Sequence, residues 1–217
     1  MEKNNSQNKP YYTQRNNEIK PGSACNVTAM IMALSAAGWP VDRLSDSAHS
    51  QPEDALMFFL CNDRSVRDVW LKVDPSRRYP PNEWHPVLAY GTNLFLRQKG
   101  LLGDEADAVE FSERRSLSQF IRAIDSGGAC VTSGLFTFRN RKVGGHVVAV
   151  VGYRTDEEGN VVSLVIDDPW GDYRTCYENV RGNDIEMPIA DFKKIIRPAG
   201  QDIKIGHIIM KFRGGFE

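Results

Sequence analysis

The chain has 217 residues, 41% of them hydrophobic and 25% charged, which are the proportions of one globular domain of ordinary size. Lys and Arg number 27 against 28 Asp and Glu, a net charge of −1, and no long basic run is present. That excludes the concentrated positive surface that nucleic acid requires and the simplest attraction to anionic membranes.

Taken in chain order, residues 1–10 ("MEKNNSQNKP") read as a flexible polar segment with no apolar core that could serve as a secretory signal. Residues 11–217 read as a single domain, with a helical insertion over about 40–110. Pro21 and Gly22 break the chain before Cys25, and the run Ala29-Met30-Ile31-Met32-Ala33-Leu34 that follows reads as a buried helix, ending near Gly38 with Trp39-Pro40 as its stop. Helical periodicity returns at 53–60, 64–72 and roughly 84–99, and the prolines of 74–83 mark a loop. A further helix is expected over 116–125, closed by Gly127-Gly128. The texture then changes. Residues 129–138, 146–153, 161–167 and 203–212 are rich in β-branched residues and separated by turn residues, so they read as strands. Helices first and strands later predict an α+β fold, a helical half packed on an antiparallel sheet. No stretch approaches the ~18 apolar residues of a membrane span.

The cysteines stand at 25, 61, 130 and 176, with no Cys-x-x-Cys pair and no zinc spacing, so free thiols and no metal are the expectation. Cys61, Cys130 and Cys176 lie in apolar or strand contexts and read as core thiols. Cys25 differs because it sits where a polar loop becomes a helix, and a helix N-terminus favours the thiolate. The segment 144–171 supplies possible partners. Two strand-like runs flank "RTDEEGN", a polar stretch suited to a hairpin loop. With the hairpin centred near Glu157, His146 faces Asp168, and directly opposed side chains share a face ~4.5–5.5 Å apart. A one-residue slip would substitute Asp167. A carboxylate beside an imidazole orients the ring and keeps it basic. Gly144-Gly145 permits a close approach by another backbone or by a substrate, Pro169 ends the second strand, and Trp170 is placed to shield the pair from water. Gln14, upstream on a polar segment, is a candidate oxyanion donor beside the Cys25 backbone N–H. The remaining histidines carry less: His207 lacks an acidic strand end after it, His85 reads as packing, and His49 lies in a polar loop.

At these residues the sequence resembles the papain-like cysteine peptidases, in the branch similar to bacteriocin double-glycine leader peptidases. The resemblance rests on Tyr11-Tyr12-Thr13-Gln14, on a helix-starting Cys followed by small residues, on Gly-His before an apolar strand ending Gly-Tyr, and on Asp-Pro-Trp-Gly. It spans residues 11 to about 173 with the middle unmatched. It implies a Cys25 nucleophile, a His146 base, an Asp168 orienter and a Gln14 oxyanion donor. Two departures are visible. Many members have Gly and Pro after the cysteine, where Asn26-Val27-Thr28 stands here, similar to a variant in phage and bacterial cell-wall proteins. The interval from Gln14 to Cys25 is also longer than usual.

Together these readings predict a thiol-dependent amide hydrolase working through an acyl-enzyme, without cofactor or metal. The expected substrate is a peptide of bacterial peptidoglycan, or another peptide, and the expected setting that of a phage endolysin or antibacterial effector. Such a protein is made in the cytoplasm without a signal peptide and acts in the periplasm or cell wall after release or delivery. A leader-peptide peptidase and an amine-accepting acyltransferase on the same triad stay open as alternatives, as does Asp167 in place of Asp168.

Overall fold

The computed structural model describes residues 1–73, 85–112, 116–196 and 207–215; the expected loop at 74–83 lies outside them. Among the described residues are helices α1 (Cys25–Ala36), α2 (Pro52–Asn62), α3 (Arg64–Val73), α4 (His85–Gln98), α5 (Leu117–Asp125) and α6 (Ile189–Ile195). The strands are β1 (Glu2–Asn4), β2 (Val109–Ser112), β3 (Ala129–Thr137), β4 (Val143–Thr155), β5 (Val161–Asp167), β6 (Ile185–Pro188) and β7 (His207–Met210). They form one seven-stranded sheet in the order β2-β7-β3-β4-β5-β6, with β1 added on β4. Every ladder is antiparallel. The fold is α+β, as the pattern predicts, and has the layout of a papain-like domain.

α1 is the axis of the helical half. Residues Asn26 to Ala36 are all buried, so the helix is surrounded, as its continuous apolar run requires. It stops as a Schellman turn: Gly38 takes φ +83°, Trp39 N–H donates to the Leu34 carbonyl and Gly38 N–H to that of Ser35, an arrangement that favours glycine. α2 starts with Pro52 in its first turn, where the missing N–H costs nothing.

Strand alternation divides the sheet between two cores. Val131, Ala149, Val151 and Val165 turn toward α1, α2 and α4. Cys130, Val148, Val150, Leu164 and Ile166 turn toward α5 and α6. Covering both faces explains why the strands read as nearly continuous apolar runs.

Four elements escaped the sequence pattern. β2, β6 and α6 are short, at four, four and seven residues, too short to show a period. The opening residues, read as flexible, place Glu2, Lys3 and Asn4 opposite Arg154, Tyr153 and Gly152. Their backbone groups complete the edge of β4 that β3 leaves beyond Val150, a role for which a polar side-chain pattern gives no sign.

Candidate active site

Cys25 opens α1 and is partly exposed. The residue before it is Ala24, which supplies no side-chain cap, and the first turn carries no acid. The positive end of the helix is therefore presented to the thiol without competition from a carboxylate in that turn. Further in, the Asn26 side chain accepts from Val27 N–H at 2.9 Å, and Thr28 Oγ1 donates to the Ala24 carbonyl at 2.9 Å. These contacts fix the turn on which Cys25 stands.

His146 is the fourth residue of β4 rather than its first. Its imidazole Nε2 lies 2.6 Å from Asp168 Oδ1, and the two side chains are 3% and 0% exposed. The cross-strand register that brings them together is not the one expected. β4 and β5 pair Ala149 with Asp167 and Val150 with Ile166, and slip once between Val150 and Gly152 and again near the turn. Continued past Asp167, that register sets Asp168 opposite Val148, two residues from His146. The turn tip is displaced, with Asp156 and Asn160 closing it and Gly159 at φ +84°. A displacement of two preserves the face, whereas a displacement of one reverses it. Asp168 thus remains a diagonal neighbour within reach of an imidazole.

The same alternation sends Asp167 to the other face. It is buried, and accepts a 2.8 Å hydrogen bond from the Asp184 N–H. Burial raises its pKa from 3.8 to about 7. Asp168 has a full set of donors. Oδ1 also accepts Trp170 N–H at 2.9 Å, and Oδ2 accepts the Tyr177 hydroxyl at 3.3 Å.

For His146, burial acts to lower the pKa. The charge and hydrogen bond of Asp168, followed by the hydrogen bond and charge of Cys25, outweigh it and carry the pKa from 6.5 to about 10. Cys25 is therefore close enough to His146 to act on its ring, and with Nε2 on Asp168 the nitrogen left for a thiol is Nδ1. Thiol, imidazole and carboxylate are brought into one neighbourhood, drawn from the α1 start, the body of β4 and the residue after β5.

The segment before α1 is stitched to the residues after β5. Tyr11 Oη donates to the Asp168 carbonyl at 2.8 Å, and Thr13 Oγ1 and Gln14 N–H donate to that of Pro169 at 3.1 and 3.0 Å. Gln14 is buried, and its Nε2 donates to the Pro21 carbonyl at 2.8 Å, so one of its two amide hydrogens is committed to holding the 14–21 turn. Arg15 lies over the Trp170 ring at 4.0 Å and donates to the Trp170 carbonyl at 2.9 Å. A Cβ at Gly144 would meet the Phe138 ring, while among the described residues one at Gly145 would meet nothing within 4 Å, so Gly145 leaves space beside His146.

An aromatic surround was not legible. Phe136, Phe138 and Tyr177 stand edge-on to the His146 ring at 5.3, 5.9 and 5.8 Å between centroids. Phe136 and Phe138 read simply as strand residues, and Tyr177 lies in a segment without periodicity. Of the cysteines expected in the core, Cys130 is buried and its pKa pushed up by burial, while Cys61, pushed up likewise, and Cys176 are partly exposed. His49 pairs with Asp46 at 3.2 Å, and His85 is buried at the start of α4. His207 begins β7, and its side chain lies outside the described residues.

A buried imidazole held between a carboxylate and a helix-start thiol, on a papain-like α+β fold, defines the class of the cysteine peptidases. The sequence bears this out over most of its length: residues 6–186 match the model of the Peptidase_C39 like family, and the chain belongs to that family. No curated protein and no solved structure matches it. No helix among the described residues is long and apolar enough to cross a membrane.

Proposed function

We propose that Cys25, His146 and Asp168 are the catalytic triad of this cysteine peptidase and that its substrate is a peptide bond of bacterial peptidoglycan, cleaved as by a phage endolysin or antibacterial effector. The observation that carries the triad is the His146–Asp168 contact of 2.6 Å in a buried pair, with Cys25 close enough to raise the His146 pKa further. Support for the substrate comes from the likeness of the Cys25-Asn26-Val27-Thr28 segment to phage and bacterial cell-wall proteins.

In this reading the Cys25 thiolate attacks the scissile carbonyl carbon. The oxyanion so formed is met by the Cys25 backbone N–H and the second amide hydrogen of Gln14. The imidazolium gives its Nδ1 proton to the leaving amine nitrogen as the C–N bond breaks, leaving a thioester on Sγ. Water then attacks the thioester carbon and gives a proton to Nδ1, and the C–S bond breaks to return the thiolate. Throughout, Asp168 keeps the Nε2–H tautomer and stabilises the imidazolium.

Two measurements test the reading separately. Iodoacetamide at neutral pH is expected to label Cys25 well ahead of Cys61, Cys130 and Cys176, and Cys25→Ala to abolish cleavage with little change in Tm; equal labelling of all four in the folded protein overturns the nucleophile. Purified peptidoglycan and cross-linked muropeptides, incubated with the enzyme and read by mass spectrometry, are expected to show new amino and carboxyl termini within the peptide stems. Intact stems alongside cleavage of unrelated peptides would reject the substrate and leave the triad standing, and transfer of the acyl group to an added amine in place of water would make the protein an acyltransferase.

A further inference from the structure

We propose that Tyr177 is a positioning residue of the reaction: its hydroxyl locks the Asp168 carboxylate in the rotamer that faces His146. The inference rests on the triad assigned above, to which it adds a fourth member.

Asp168 is fully buried, and a buried carboxylate needs a donor on each oxygen. Oδ1 has the His146 Nε2–H and the Trp170 N–H, whereas for Oδ2 the Tyr177 hydroxyl at 3.3 Å is the hydrogen bond found among the described residues. Two donors on one oxygen leave the carboxylate free to rock about its Cβ–Cγ bond. A third on the other oxygen fixes its plane, and with it the direction from which the imidazole is held. Burial, followed by the nearby Asp168 charge, raises the Tyr177 pKa far above its ordinary value, so the phenol is a permanent donor.

The backbone is bent to deliver this group. Cys176 and Tyr177 occupy consecutive left-handed conformations at φ +50° and +66°, a region that bulky side chains avoid. Tyr177 N–H returns to the Asp172 carbonyl at 3.0 Å, and Cys176 N–H to that of Tyr173 at 3.0 Å. Strain of this kind persists where the surroundings over-determine it. Here those surroundings include the Phe138 ring stacked at 5.0 Å, the edge of His146 at 5.8 Å, and the carboxylate itself. A tyrosine needed only to fill the core would not require its hydroxyl aimed at the one acid that holds the imidazole.

Tyr177→Phe keeps the ring, its stacking and the backbone, and removes only the donor. A hydrogen bond to a charged group corresponds to roughly a tenfold effect or more. The variant is expected to lose about that factor in kcat on cross-linked muropeptides with KM unchanged. Its imidazole Nε2–H proton, read by NMR on histidine-labelled protein, is expected to shift or broaden relative to the wild type. Tyr11→Phe, which removes a hydroxyl from the Asp168 carbonyl rather than from the carboxylate, is expected to lower Tm without moving that signal. A Tyr177→Phe protein whose His146 signal matches the wild type overturns the proposal. So does a change confined to KM, or a change in Tm alone. The NMR measurement needs no substrate, so it decides the role of Tyr177 even if muropeptides are not cleaved. Failure of the triad reading would show separately, as wild-type Cys25 labelling no faster than its three companions.

Discussion

Two adjacent aspartates, Asp167 and Asp168, have opposite fates, and that contrast supplies the sharpest test at the scale of the residue. Asp168→Asn keeps an oxygen and the side-chain shape but removes the charge that raises the His146 pKa to about 10. It is expected to lower turnover at least ~100-fold, to slow Cys25 alkylation at pH 6, and to leave the fold intact. Asp167→Asn keeps the oxygen that accepts Asp184 N–H and removes a carboxyl group whose pKa is raised to about 7 by burial. Turnover is expected to stay within a few-fold, while Tm rises most at pH 8 and only slightly at pH 4, where the wild-type carboxyl is neutral in the folded chain and still about half protonated in the unfolded one. Steady-state kinetics and thermal melts at the two pH values separate these outcomes; the reverse assignment would make Asp167 the triad acid.

At the scale of the element, the end of β5 is held as tightly as its side chains. Asp168 N–H donates to the Gly182 carbonyl at 2.8 Å, and a Cβ on Gly182 would overlap the carbonyl oxygen of Asp168. The segment crossing behind the acid must therefore carry glycine at this point. Gly182→Ala is expected to push the two backbones apart, at a cost of roughly 1–3 kcal/mol, which at this chain length lowers Tm by about 2–4 °C per kcal/mol. Because the displaced backbone belongs to Asp168, kcat is expected to fall further than the loss of stability explains, and activity measured well below Tm checks this. A comparable strain elsewhere serves as the control: at Gly128 a Cβ would overlap the Met210 carbonyl, away from the triad, so Gly128→Ala is expected to lower Tm while sparing kcat.

For the whole molecule, the buried titratable groups give stability a direction with pH. His146 binds its proton more tightly folded, with a pKa of about 10 against the ordinary 6.5. Its contribution is complete below about pH 6.5 and is lost as the pH rises through about 10. Asp167 and Glu53 are raised to about 7 from 3.8 and 4.5, in each case first by burial, and neither oxygen of the Glu53 carboxyl has a hydrogen-bond partner among the described residues. Raised carboxyl pKa values carry the same sign: stability falls as the pH climbs from about 4 through 7. Asp172, lowered by its hydrogen bond to Arg174, acts oppositely, but only in acid. Tm is therefore expected to be highest near pH 4 and to decline from there toward pH 10. The double variant Asp167→Asn/Glu53→Gln is expected to flatten the decline between about pH 4 and 6.5 and to leave that between about pH 7 and 9, which belongs to His146. A melt series across pH checks both limbs.

The chain alone determined what depends on neighbours in sequence. The apolar run after Cys25 forms α1, Gly38 stops it, and the strands at 129–138 and 161–167 stand within a residue of where β-branched composition put them. Gly-His on one strand and Asp-Pro-Trp on the next named the two partners, because strands joined by a short turn must lie side by side. Tertiary structure decided what depends on register and distant contact. The hairpin tip and its two irregularities set Asp168 diagonal to His146 rather than opposite, a shift that alternation tolerates only because it is even. Burial, not sequence, made Asp167 a partner of Asp184, and the left-handed turn at Cys176–Tyr177 brought a phenol nine residues downstream onto the Asp168 carboxylate. No pattern of apolar and polar residues encodes that turn, since its strain is repaid by contacts that exist only once the sheet, the aromatic rings and the buried acid are assembled.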